Sequence, residues 1–113
     1  MPSSQPAIRL RDIIDNIDWI MVDTDGLSYD DFAADRKTQD SVFFCLLRLA
    51  EAAKKLEGQI ETLVPDQPWG EIRALGNHLR HGYDDLDLKQ IWYVIEHELE
   101  TLKQACEQAL ESL

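Results

Sequence analysis

Apolar residues recur at intervals of three and four along most of this chain, the spacing that places them on one side of an α-helix. The first such stripe predicts an amphipathic helix over residues 6–23. A longer stripe predicts a helix over 36–57, which ends before Gly58. The last stripe covers 88–113 and predicts a long C-terminal helix. No segment of the sequence alternates apolar and polar residues as a strand does, so the pattern predicts an all-α fold.

Two shorter helices complete the predicted architecture. Ser28 and the carboxylates that follow it are typical of a helix start, and they predict a short helix over 28–34. A further apolar stripe predicts a helix over 68–81, and residues 59–64 are compatible with a helical turn or two before it. We therefore expect an up-down bundle of about five helices, folded as one domain over residues 1–113.

The long helix predicted over 36–57 is apolar on more than one side. Phe43, Phe44 and Leu47 widen its surface beyond a single stripe. A helix of this kind usually contacts two neighbours, and a chain of this size leaves much apolar surface uncovered as a monomer. These features predict a homodimer in which the helix packs on the bundle core on one side and on the second subunit on the other.

Composition and charge narrow the choice of partners. The chain is 44% hydrophobic and carries 22 acidic and 11 basic side chains, for a net charge of −11. Because affinity for phosphates comes largely from Lys and Arg displacing counterions, this balance argues against DNA or anionic membranes as partners. It does not exclude a local basic pocket. The sequence shows neither a secretory signal nor an apolar run of about 20 residues, so we expect a cytoplasmic protein without a membrane partner.

The cysteines and isolated histidines give no sign of a metal centre. Cys45 and Cys106 lie within helical patterns and lack CxxC or Cys/His spacing, so we interpret them as buried free thiols. His78 and His97 also lack the spacing of metal ligands. The sequence therefore predicts no metal and no cofactor.

Candidate chemistry is concentrated in residues 69–83. On a helix, Arg73, Asn77 and His81 follow one another at intervals of four and share one polar face. An imidazole transfers protons near neutral pH, a guanidinium binds phosphate and stabilises charge developing on it, and an amide orients either group. These residue types suit phosphodiester chemistry. The alternative is a solvated helix face without function, since four-residue spacing is weak evidence on its own.

Several stretches of the sequence together carry a resemblance to a known family. They are residues 35–40, 49–56, 68–69, 72, 77, 81–83 and 91–92. With these residues at these spacings, nearly the whole chain resembles the HepT-like members of the HEPN superfamily. Those proteins are small all-α toxins found beside a minimal nucleotidyltransferase antitoxin of the MntA type. The resemblance implies a HEPN-like fold, a homodimer and this nucleotidyltransferase as a partner.

The family's catalytic signature is an arginine, four to six residues, and then a histidine and a tyrosine separated by one residue. The arginine is usually followed directly by a polar residue such as asparagine. Asn77, His81 and Tyr83 match this signature, whereas the arginine position is occupied by Gly76. The resemblance implies metal-independent RNA cleavage at a cleft between two subunits, with the histidine acting on the ribose 2′-hydroxyl or the leaving oxygen. It also implies that the antitoxin inactivates the toxin by attaching AMP to Tyr83. The alternative for Tyr83 is a packing role after Gly82.

The missing arginine leaves three interpretations of function open. Loss of one donor to transition-state charge lowers a rate by about 10²- to 10³-fold. In the first interpretation the chain is still a ribonuclease, because Arg73 or Arg80 replaces the missing arginine by reaching the phosphate across the dimer cleft. The candidate catalytic residues are then His81, Arg73, Arg80 and Asn77. The second interpretation is a degenerate module that binds its nucleotidyltransferase without cleaving RNA. The Gly76→Arg variant is expected to distinguish these two interpretations by whether nuclease activity appears. The third is a nucleotide- or phosphate-binding subunit.

An interior glycine such as Gly76 is itself unusual in a predicted helix. Glycine costs about 1 kcal/mol relative to alanine at such a position. Such a glycine usually marks close packing, a missing side chain or tolerated drift, and the sequence leaves these alternatives open.

Overall fold

The computed structural model describes residues 5–82 and 85–113, and this part of the chain contains helices and turns but no strand. The all-α prediction is confirmed. None of the described helices combines the length and the apolar character needed to cross a membrane. Within the described ranges the chain forms seven α-helices: α1 (Gln5–Thr24), α2 (Tyr29–Ala33), α3 (Arg36–Lys54), α4 (Ile60–Leu63), α5 (Trp69–His81), α6 (Leu88–His97) and α7 (Leu99–Glu111).

The two longest helices, α1 and α3, form the centre of a helical bundle. α1 packs against α3 and α7, α5 packs against α3, and α2 contacts both α3 and α6. Leu10, Ile13, Ile17 and Ile20 of α1 are fully buried, at the three- and four-residue spacing of the sequence pattern. Because burying one such side chain contributes about 1.5–3 kcal/mol, this stripe fixes which side of α1 faces the bundle.

Local hydrogen bonds set where α2 and α3 begin. The Ser28 hydroxyl accepts from the Asp31 N–H at 3.1 Å, and the Asp31 carboxylate accepts from the Ser28 N–H at 3.0 Å, which is a capping box. The Asp35 carboxylate accepts from the hydroxyl and the N–H of Thr38, at 2.7 and 3.2 Å. These two hydrogen bonds lower the pKa of Asp35 below its ordinary value.

The C-terminal stripe forms two helices rather than the single long helix that its spacing predicts. The interruption lies at Glu98, whose φ and ψ are −120° and −32°. The Glu98 N–H still donates to the carbonyl of Val94, and the Leu102 N–H donates to that of Glu98, each at 3.0 Å. The four-residue hydrogen-bond spacing is thus kept on both sides of Glu98, and the apolar spacing continues through the break. The break itself is not caused by a glycine or a proline.

The segment between α3 and α5 also differs from the prediction in its details. α3 ends at Lys54, three residues before the predicted end. The chain turns through Gly58, whose φ of 88° lies in the left-handed region that glycine adopts without strain. α4 provides the further helical turn that residues 59–64 allow. The Trp69 indole N–H donates to the carbonyl of Val64 at 2.8 Å and so ties the start of α5 to this segment.

Both cysteines are free and buried, as the sequence predicts. Burial raises the pKa of the Cys106 thiol to about 12 and also raises that of Cys45. Neither thiol is ionised near neutral pH, so neither has the character of a nucleophile or a metal ligand.

Candidate functional site

α5 presents its polar residues away from the bundle core. Ile72 and Leu75 pack against the core and Leu79 is part of it. On the other side of the helix, Asn77 is exposed and Arg73 is partly exposed. α5 is therefore the amphipathic helix that the spacing predicts, and its polar residues are accessible.

Gly76 lies where α5 packs closely against α3. It is buried, and a Cβ atom built at this position would lie 2.6 Å from the Cβ atom of Ala50. Real Cβ atoms essentially never come so close to another carbon. Close helix packing therefore explains this glycine, and the structure thus selects one of the alternatives that the sequence leaves open. A larger side chain, arginine included, fits at position 76 only if α3 and α5 move apart.

Arg80 fills the space beside Gly76. Its Nη2 atom lies 3.8 Å from the Cβ position just described. Nη2 donates to Oδ1 of Asn77 at 2.6 Å, and Nη1 forms an ion pair with the carboxylate of Glu51 on α3. Since these two partners hold it, the guanidinium is fixed at the contact between the helices, next to the position that the family motif gives to arginine.

A pocket of about 200 Å³ opens between α3 and α5 beside Arg80. Arg73 lies further along it, where its Nη1 atom donates to the Glu61 carboxylate at 2.9 Å and lowers the pKa of that carboxyl group. The pocket thus brings together Arg73, Asn77 and Arg80 of the predicted site. It is lined by Ala50, Lys54, Glu57, Arg73, Asn77 and Arg80.

The predicted catalytic histidine, His81, is not part of this pocket. It is exposed as the last residue of α5, directly after Arg80. Tyr83, the predicted modification site, lies outside the described residues. His78 has a different partner: its Nε2 atom lies 2.8 Å from Oδ1 of Asp85, and this hydrogen bond lowers the pKa of Asp85.

The sequence pattern did not predict Lys54, Glu57 and Glu51 as parts of the site. Lys54, the last residue of α3, and Glu57, in the turn after it, line the pocket, and Glu51 binds Arg80. Ala50, Lys54 and Glu57 follow one another at intervals of four and three, so the sequence places them on one face of the helix predicted over 36–57. What was not visible is that this side of the chain faces α5.

An exposed apolar surface borders the site. Phe44 is 60% exposed, and the Arg48 guanidinium lies 5.6 Å from the centre of its ring and 5.4 Å from that of Trp19. The apolar character of α3 on more than one side is thus confirmed, while the second subunit stays a prediction. A shallow pocket of about 230 Å³ on this surface is lined by Asp40, Phe43, Phe44, Leu47 and Leu79.

Comparisons with known proteins agree with the resemblance carried by these residues. The family model described as "Ribonuclease HepT-like" matches residues 6–109. A protein of Thermococcus cleftensis named "Probable ribonuclease HepT" is 31% identical over 94 residues, which cover 83% of this chain and 86% of that relative. A Methanocaldococcus jannaschii protein named as a "Putative RNase" is 30% identical over 95 residues, which cover 84% and 78% of the two chains. No solved structure matches the chain significantly. The chain belongs to the HepT-like ribonuclease family of the HEPN superfamily.

Proposed function

We propose that this protein is a homodimeric, metal-independent RNA endonuclease, the toxin of a toxin–antitoxin pair. Its partner is a minimal nucleotidyltransferase that silences it by attaching AMP to Tyr83. The observation that carries the nuclease assignment is the guanidinium of Arg80. It is held by Glu51 and Asn77 beside Gly76, one residue before His81, in a chain whose family motif lacks its arginine.

The cleavage step needs one proton-transferring group and one donor to a negatively charged phosphorus centre. The ribose 2′-oxygen attacks the adjacent phosphorus, and the bond from phosphorus to the 5′-oxygen breaks, leaving a cyclic phosphate and a 5′-hydroxyl. His81 takes the proton of the 2′-hydroxyl or supplies one to the leaving oxygen. Arg80 donates hydrogen bonds to the phosphate oxygens, whose negative charge increases as the new bond forms.

Arg80 is better placed than Arg73 to replace the motif arginine. It follows Gly76 by one helical turn, and its guanidinium lies beside that position. Arg73 precedes His81 by eight residues, about 12 Å along a helix axis, and it is bound to Glu61. We therefore assign charge stabilisation to Arg80, its orientation to Asn77, and binding of the neighbouring RNA backbone to Arg73.

The assignment of a homodimer is supported by the apolar surface that borders the site. Leu47 and Leu79 line the shallow pocket on this surface, and they precede Glu51 by one helical turn and Arg80 by one residue. A second subunit on this surface would bury Phe44 and bring a partner against the Arg80–Glu51 pair. It would also cover a site that is open to water in one subunit, where hydrogen bonds to phosphate are weaker.

The test is cleavage of labelled RNA in EDTA by protein purified without its partner and shown by mass to lack AMP. We expect cleavage by the natural chain and its loss in His81→Ala. His97→Ala is the matched control, because His97 is an exposed histidine on α6, away from the site. An intact RNA substrate with the natural chain, or equal activity of the two histidine variants, would refute the proposal. Co-expression with the nucleotidyltransferase is expected to add adenylyl mass that Tyr83→Phe abolishes.

The degenerate module is favoured by one specific observation, the ion pair between Glu51 and Arg80, because it reduces the charge available to a phosphate. The Gly76→Arg variant alone does not separate the two functions, since its Cβ atom would collide with Ala50. The informative comparison is Gly76→Arg together with Ala50→Gly. Cleavage that appears only in this double variant would identify the natural chain as a non-catalytic binding partner.

A further inference from the structure

The pocket between α3 and α5 contains a basic residue that the proposed cleavage step does not use. Lys54 lines the pocket together with Arg73 and Arg80. The two arginines are paired with Glu61 and Glu51, whereas none of the ion pairs among the described residues involves Lys54. Its ammonium group is therefore the cation of this pocket that is available to a ligand.

We propose that this pocket, the Lys54 pocket, binds a backbone phosphate of the same RNA strand as the phosphate that is cleaved. This inference rests on the proposed function and names where that site holds its substrate. Lys54 supplies the main positive charge, and Arg73 supplies further N–H donors from the opposite wall. The result is a contribution to substrate binding, hence to KM, rather than to the chemical step.

The charges at the pocket support a phosphate as its ligand. Three cations and one carboxylate, that of Glu57, line it in a chain with a net charge of −11. A guanidinium has five N–H donors, so the bonds of the arginines to Glu61, Glu51 and Asn77 leave donors free on both. Because Glu51 and Glu61 offset part of this charge, the pocket attracts phosphate at short range only.

The position of the pocket relative to His81 fits two phosphates of one strand. The pocket follows α5 from Arg73 to Arg80, and His81 lies just beyond it. From Arg73 to His81 the helix rises about 12 Å, which corresponds to about three nucleotides at the rise of about 3.4 Å per nucleotide of a duplex strand. A strand that runs along α5 with one phosphate at His81 therefore passes another of its phosphates over Lys54 and Arg73.

The pocket is large enough for a phosphate group. Its volume is about 200 Å³, and its lining includes Ala50, the small residue of α3 that Gly76 approaches. A water molecule occupies about 30 Å³ in the liquid, so the space holds several waters or one tetrahedral phosphate group.

Free nucleotides offer the same phosphate chemistry, so the experiment separates the two sources. We favour RNA because one lysine and two already paired arginines match a singly charged phosphodiester, and the chain has no glycine-rich phosphate loop. In the His81→Ala background, which binds without cleaving, anisotropy of a labelled RNA oligonucleotide gives Kd. Competition by ATP and by inorganic triphosphate reports nucleotide binding. In the active chain, initial rates give kcat and KM.

Three single substitutions test the role of Lys54. Lys54→Gln is expected to raise Kd and KM by about three- to fivefold, the range of an exposed ion pair, and to reduce the salt dependence of log Kd by about 0.7. Glu57→Gln is expected to lower Kd. Lys55→Gln is the matched control, since Lys55 is the adjacent exposed lysine, does not line the pocket and gives the same change in net charge.

The outcomes distinguish this inference from the proposed nuclease. Equal effects of Lys54→Gln and Lys55→Gln, or a change in kcat without one in KM, would overturn the Lys54 pocket while leaving cleavage intact. Lys54-dependent RNA binding by a chain that never cleaves RNA would support the pocket and refute the nuclease. Lys54-dependent binding of ATP without any effect on RNA would overturn the RNA assignment in favour of a nucleotide.

Discussion

At the scale of single residues, Arg80 connects the two helices that build the site. Its side chain contacts Glu51 of α3 and Asn77 of its own helix, so it is oriented before any substrate arrives. A preorganised donor of this kind loses little entropy when it binds a phosphate, which is the condition under which one hydrogen bond has a large effect on rate.

Arg80→Ala is expected to lower kcat for RNA cleavage by about 10²- to 10³-fold, the usual cost of one lost donor to transition-state charge. Arg36→Ala is the matched control, because Arg36 is an exposed arginine at the start of α3. Single-turnover cleavage assays measure the effect, and circular dichroism checks that both variants are folded. Equal rates for the two variants would remove Arg80 from the mechanism.

The Asp35 cap predicts a pH dependence of stability. Hydrogen bonds from Thr38 lower the pKa of Asp35 in the folded chain. Its contribution is therefore complete above the ordinary pKa of an aspartate, about 3.9, and is lost as the pH falls through the lower folded value. The difference in unfolding free energy between the natural chain and Asp35→Ala is expected to be larger at pH 7 than at pH 2 in urea titrations. Asp15→Ala controls for loss of one exposed carboxylate, and a difference independent of pH would contradict the assignment.

At the scale of helices, the contact between α3 and α5 is the tightest feature of the site. Gly76→Ala is expected to destabilise the fold by about 1–3 kcal/mol through overpacking against Ala50, although alanine is the better helix former. Gly70→Ala in the same helix is the control, since a Cβ atom there meets nothing within 4 Å. That variant is expected to gain about 0.4–1 kcal/mol.

Chemical unfolding of the single and double variants measures this coupling. Ala50→Gly combined with Gly76→Ala is expected to recover part of the loss, because the two substitutions share one contact. Strictly additive effects, or a stabilising Gly76→Ala, would show that the helices are not held at this distance.

The sequence pattern predicted the helices better than their contacts. The apolar stripes correctly predicted α1, α3 and α5, because each of these helices buries one face. The spacing of Arg73 and Asn77 correctly predicted the polar face of α5. The break at Glu98 left no trace, since the apolar spacing continues through it. Lys54 was missed for a related reason: its role depends on which helix packs beside α3, and local periodicity does not carry that information.

At the scale of the whole molecule, the exposed apolar surface of α3 is the interface of the homodimer that we propose. Phe44→Asp is expected to convert a dimer into a monomer and to abolish RNA cleavage, because a charge in an apolar interface is not compensated. Tyr93→Asp, at an exposed aromatic residue of α6, is the control. Sedimentation velocity measures both, and a natural chain that remains monomeric at micromolar concentration would contradict the dimer.

The contact between Gly76 and Ala50 also constrains how this sequence can change over time. An arginine fits at position 76 only if residue 50 loses its Cβ atom or α3 and α5 move apart, so the order of substitutions matters. Among homologous chains, we therefore expect that those with a residue other than glycine at position 76 have glycine at position 50. A lineage that acquired alanine on α3 after losing the motif arginine would be held in its present form, with Arg80 as the guanidinium it retains.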